Sequence, residues 1–195
     1  MGDLSCVFEK DRDFIMIEFA LSECRRALKA LQRVEEASLP KPNPRHTGCE
    51  VYEIEPVFDS IRLALQLSSN VSKMLWPPRN KARGVHLRAL ARIADEHPLR
   101  DRTLRNHVEH IDERLDAWTA ISPRPFIAVE TIIPPTYPKD AAGPKMEDLA
   151  AIVYDQGTKR VHLFGDSFSL IDLANSLQDV GIHLNAALLS MQITR

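Results

Sequence analysis

Leu104-Arg105-Asn106-His107-Val108-Glu109-His110, running on through Ile111-Asp112-Glu113-Arg114-Leu115-Asp116-Ala117-Trp118, is the stretch whose reading decides the fold. Its apolar residues are Leu104, Val108, Ile111, Leu115 and Trp118, spaced four, three, four and three. At about 100° per residue, that spacing makes one stripe of an α-helix laid on a core. Arg105, Glu109, Asp112 and Asp116 fall on one flank of the stripe. Asn106, His110 and Glu113 fall on the far side. The first two turns thus present an Arg-Asn pair and two histidines from a helix whose other face is predicted to be buried.

Upstream, three more helical patterns lead to this one. Phe14, Ile17, Leu21, Cys24, Leu28, Leu31 and Val34 recur at three or four residues and predict a helix from Phe14 to Ala37, after a polar lead-in over residues 1–11. Leu39-Pro-Lys-Pro-Asn-Pro44 cannot continue it and reads as a linker. A second long helix is expected from about Glu50 to Trp76, with Ile54, Phe58, Ile61, Leu65, Val71 and Leu75 inward, Pro56 near its start and Pro77-Pro78 ending it. A shorter one spans Gly84 to Glu96, before the break at His97-Pro98. The central helix is then expected from about Leu99 to Ile121, stopping at Ser122-Pro-Arg-Pro125.

Downstream the character changes. Phe126 to Ile133 is rich in β-branched residues and reads as a strand ended by Pro134-Pro135. Leu149–Tyr154 and Lys159–Phe164, joined by Asp155-Gln-Gly-Thr158, read as a hairpin. A final helix is expected from about Ser169 to Gln192, capped by Ser167 or Ser169. The predicted architecture is mainly α: a four-helix bundle over residues 1–122, with a small β-hairpin and C-terminal helix over 123–195 as an appendage.

Composition narrows the function classes. A hydrophobic share of 44% supports a core, and the net charge of −2 gives no global nucleic-acid signature. Charge is uneven, however. From Arg79 to Arg105 eight Arg/Lys stand against three acids, a local +5 that leads into the central helix; the competing reading is a solvated surface. Cys6, Cys24 and Cys49 form no Cys-x-x-Cys pair and no signal-peptide pattern is present, so a reducing cytoplasm is expected. No apolar run reaches the roughly 18 residues of a membrane span.

Three chemistries compete at the histidines. A metal reading uses His107 and His110, but needs ligands converging from elsewhere, and no Glu-x-x-His pair recurs on two helices. Serine or cysteine hydrolase and phosphate-loop motifs are absent. Acid–base chemistry on a phosphodiester needs less: an imidazole to move a proton, and an arginine to bind phosphate and stabilise growing charge. RNA supplies its own nucleophile, the 2′-hydroxyl. Arg105 and His110 meet that need, with Asn106 orienting imidazole or phosphate. The competing structural reading pairs Arg105 with Glu109 or Asp101 at helical spacing, worth a few tenths of a kcal/mol.

Arg105-Asn106-x-x-x-His110 resembles the Arg-x4-6-His motif of the HEPN superfamily (higher eukaryotes and prokaryotes nucleotide-binding domains), where Asn, His or Asp commonly follows the Arg. HEPN domains are helical bundles with the motif near the start of a late long helix, after a short one. Residues 12–121 are predicted to share that layout, and the resemblance does not extend beyond Phe126. It implies a metal-independent endoribonuclease of toxin or defence type, without a cofactor. It also implies a homodimer in which two motifs face each other across a cleft, and an antitoxin protein as partner. Arg105 and His110 would be catalytic and Asn106 orienting. Beside the resemblance, Arg102, His107 and Lys73 are candidates for binding RNA; Asn70, Ser72 and Lys73, which end the second helix, either line the same cleft or are simply exposed, and exposure is the favoured reading. Toxins silenced by a nucleotidyltransferase partner carry Tyr two residues after the His; that position is Asp112 here, against that mode of control. The alternative implied by the family is a non-catalytic module that binds a nucleotide, RNA or a protein.

Overall fold

The fold is mainly α, with a small four-stranded sheet. The structure, a computed structural model, describes residues 4–46, 50–101, 103, 110–121, 128–137 and 145–193. Helix α1 (Leu4–Ala37) begins earlier than its apolar stripe suggests. Ile17, Leu21, Cys24, Leu31 and Val34 are buried along one side, as their spacing predicts. It ends where Ser38 Oγ donates to Glu35 O (3.0 Å) and Leu39-Pro40 stops the next turn. Lys41–Pro42 (β1) and Glu50–Val51 (β2) then form a two-residue antiparallel ribbon across the linker. Helix α2 (Ile54–Leu75) carries Pro56 in its first turn, where no amide partner is needed. Its inner face holds Val57, Phe58, Ile61, Leu65, Val71 and Leu75, whereas Ile54, expected inside, is exposed.

Helix α3 (Lys81–Ala91) is offset from the expected Gly84–Glu96 span. Asn80 Oδ1 accepts from Arg83 N and starts it three residues sooner, and Arg92 ends it in the left-handed region (φ 55°). Gly84 lies against the chain that leaves α2. A Cβ there would stand 2.4 Å from Pro77 Cδ and 2.7 Å from Leu75 O, so only glycine fits.

The continuous Leu99–Ile121 helix is not what forms. Pro98–Arg100 is a single 3-10 turn capped by the His97 side chain, and Asp101 is extended. Asp101 Oδ1 then accepts from both Thr103 N and Thr103 Oγ1, which restarts the chain. Helix α4 (Ile111–Ile121) follows, with His110 just outside it. Its expected buried stripe is largely open: Ile111 is 48% and Leu115 40% exposed, while Trp118 reaches the core in part. The lesser half of the stripe, Leu104 and Val108, lies outside the described residues.

The place beside α1 is instead taken by helix α5 (Leu170–Ile193). Leu177, Val180 and Leu184 are fully buried there, and Gly181 leaves room for Cys24 and Leu21 of α1. Thus α1 packs against both α2 and α5. Burial pushes the Cys24 thiol up to about 12, with Glu23 adding to the shift.

The sheet has the order β3-β4-β5-β6, with β3 (Ala128–Ile133) parallel to β4 (Ala150–Asp155), and β5 (Arg160–Leu163) and β6 (Asp166–Ser169) antiparallel neighbours. Strand β4 is buried from Ala150 to Tyr154, as a central strand covered on both faces should be. The unforeseen strand β6 follows a two-residue turn at Phe164 (φ 51°) and Gly165 (φ 90°), the left-handed pair of a tight hairpin. Ser169 Oγ accepts from Asp172 N (3.1 Å) and caps α5, one of the two caps expected. The sheet docks on the end of α1. Tyr154 Oη donates to Glu35, Gln156 Nε2 donates to Ser38 O, and Lys159 pairs with Glu35. One core joins Ile61 and Val71 of α2 to Ile152, Tyr154, Leu177 and Leu184. The described residues from Ala128 onward, expected as an appendage, thus contribute to that same core. Among the described residues no helix is long and apolar enough to cross a membrane.

Candidate functional site

Arg102, Arg105, Asn106 and His107 lie outside the described residues. His110 and Lys73 do not. His110 is exposed, and its backbone carbonyl accepts from Arg114 N as α4 begins. Its Nδ1 stands 3.7 Å from Glu113 Oε2, and the side chain is 52% exposed. The neighbouring Ile111 lines a cavity of about 470 Å³ with Leu63 and Gln66 of α2 and Ile152 of β4. Lys73 is half-buried in the last turn of α2. At 1.5 Å per residue it lies about 10 Å further along that axis than Gln66. The neighbour of His110 thus sits beside the middle of α2, whereas Lys73 is in its last turn.

Two other cavities flank the turn that leads into the motif, sharing Pro98 and Asp101 as a wall. The larger, about 680 Å³, is lined by Trp76, Lys81, Arg88, Asp95, His97 and Arg100 among others. Arg88 is buried, lies over the Trp76 ring at 5.4 Å, and donates to Leu75 O and to Asp95. It thereby satisfies a carbonyl at the end of α2 that the helix leaves open. Arg100 pairs with Glu96 at 2.6 Å. Two of the eight cations of that segment are thus paired with two of its own three acids.

His97 closes that cavity, and the sequence marked it only as part of a chain break. It stacks on Trp76 with centroids 5.7 Å apart. Its Nδ1 accepts from Leu99 N (3.2 Å), so the proton sits on Nε2, which faces Asp179 Oδ2 at 3.3 Å. Burial lowers its pKa and outweighs the opposing pull of Asp179. With both nitrogens engaged, His97 is a neutral structural clamp between the turn and α5. No local signal in the sequence could have joined Trp76, His97 and Asp179.

The smaller cavity, about 270 Å³, is lined by serines from α2, β6 and α5, with Arg160, Asp101 and Asp172 at its edges. Among the described residues no three His, Cys, Asp or Glu side chains converge as metal ligands do; His107 lies outside them. No family model, curated protein or solved structure matches the chain.

Proposed function

We propose that the chain is a metal-independent endoribonuclease of toxin or defence type, working as a HEPN-like homodimer. The observation that carries this reading is the exposed imidazole of His110, paired with Glu113. In the proposed reaction an imidazole takes the proton of the 2′-hydroxyl as that oxygen attacks phosphorus. The bond to the 5′-oxygen breaks, that oxygen receives a proton, and a 2′,3′-cyclic phosphate remains. Arg105 would hold the phosphate and stabilise its added charge, with Asn106 orienting it and Arg102 and His107 binding RNA nearby. A twofold partner would cover Ile111 and Leu115, whose exposure leaves an apolar stripe on α4.

The second reading, a non-catalytic module binding RNA, a nucleotide or a protein such as an antitoxin, is favoured by Asp112, Glu113 and Asp116, which put negative charge beside His110. One experiment separates the two. A mixed-sequence RNA is incubated in EDTA with wild type, Arg105→Ala and His110→Ala, and the ends are analysed. Cleavage by wild type alone, leaving cyclic phosphates, supports the nuclease. Absence of cleavage by wild-type dimer, or equal cleavage by all three, removes it.

A further inference from the structure

We infer that the serine-lined cavity between α2, β6 and α5 is a binding site for a small uncharged polyhydroxylated ligand, a monosaccharide or cyclic polyol. Six serines line it, and four of them are committed to the protein. Ser68 Oγ donates to Ala64 O, Ser176 Oγ donates to Asp172 O, Ser167 Oγ accepts from Arg160 Nε, and Ser169 Oγ caps α5. Ser69 and Ser72, three apart on one face of α2 and each 4% exposed, have hydroxyls with no partner among the described residues. Buried hydroxyls are rarely left so, and two of them one turn apart in a cavity wall point to something that occupies it.

The charge balance selects the ligand. Two carboxylates, Asp101 and Asp172, face one guanidinium, Arg160, which is already bonded to Ser167 O and Oγ. Asp101 has one oxygen taken by Thr103; among the described residues its second oxygen and the Asp172 carboxylate have no partner and are left to accept from a ligand. Among the described residues an anion would meet a net negative rim, whereas a polyol donates to the carboxylates and accepts from the serines. Leu99, Leu173 and Phe168 supply the apolar wall that sugar C–H faces need. A space of about 270 Å³ can take one sugar ring.

This inference stands apart from the nuclease reading, since it uses none of the motif residues. The test is titration calorimetry with D-glucose, D-ribose, myo-inositol and inorganic phosphate. Wild type is compared with Ser72→Ala, Asp172→Asn and, as a control in the other cavity, Lys81→Ala. The expected result is saturable binding of at least one polyol with a dissociation constant of about 1 mM or tighter. Ser72→Ala and Asp172→Asn should each weaken it about tenfold, and Lys81→Ala should leave it unchanged. Ser72→Ala removes an unpartnered hydroxyl, so its thermal stability should match or exceed wild type; that separates lost contact from lost fold. Saturation by none of the three polyols means that the cavity holds only water and overturns the inference. So does binding unaffected by both substitutions, or tighter binding of inorganic phosphate than of any polyol.

Discussion

Replacing Leu184 by alanine tests whether α5 belongs to the one core. Its side chain is fully buried against α1. The change deletes three carbons, each worth about 0.8 kcal/mol on burial, so the transfer loss alone is about 2.4 kcal/mol. The cavity left behind adds to this, and measured losses for such sites run about 2–5 kcal/mol. About 3 kcal/mol is expected here, a large fraction of a domain stability of roughly 5–15 kcal/mol. For a chain of this size the midpoint of thermal unfolding should fall roughly 6–12 °C. Leu189→Ala, on the same helix but 54% exposed, should change stability by no more than about 0.5 kcal/mol. Urea unfolding followed by circular dichroism and by Trp76 fluorescence, in a Trp118→Phe background, reads both ends of the core. Trp76 sits at the end of α2 and meets α5 through His97, which stacks on it and faces Asp179, so a single core moves both signals together. An early circular-dichroism step with an unmoved fluorescence midpoint would refute the reasoning, because α5 would then unfold by itself.

Other expectations are as sharp. Gly84→Ala gains helix propensity of about 1 kcal/mol but drives a methyl into Pro77 and the Leu75 carbonyl, so it should destabilise by about 1–2 kcal/mol net; a variant as stable as wild type in urea would contradict the packing described. The depressed pKa of His97 means that the unfolded chain binds a proton the folded one resists. Stability should therefore fall as pH drops below the unfolded value of about 6.5, and His97→Gln should flatten that part of the curve measured between about pH 5 and 7.5. Cys24, with its thiol pushed up to about 12, should ignore Ellman's reagent at neutral pH until the protein is unfolded. Since its folded value lies above the ordinary 9.0, its contribution to stability should be lost as pH rises from there toward 12.

Much of the fold is legible because it is local. The three-and-four spacing of α1, α2 and α5, the Pro77-Pro78 stop, the Asp155-Gln-Gly-Thr turn and the Ser169 cap each carry their physics within a few residues. The failures are of a different kind. The stripe through Ile111, Leu115 and Trp118 reports that a helix is amphipathic, not which surface covers it; α5 occupies the place beside α1. Strand β6 hides because Phe164, an unusual residue for positive φ, makes half of its turn. The serine cavity assembles residues 68–72 with residues 160–176, a juxtaposition that no window of sequence displays.

The packing of α1 against both α2 and α5 also sets the order in which the chain can acquire its structure. The α1–α2 pair can close once residue 75 is available. The face of α1 that meets Gly181 and Leu184 waits for another 118 residues, the difference between positions 193 and 75. At translation speeds of about 5–20 residues per second, that is about 6 to 24 s with Leu21 and its neighbours uncovered on the ribosome. During that interval the nascent chain offers an apolar helical face to chaperones. Destabilising changes in α5 should therefore reduce the yield of soluble protein more than equal losses in α3, whose neighbours on α2 are made immediately before it.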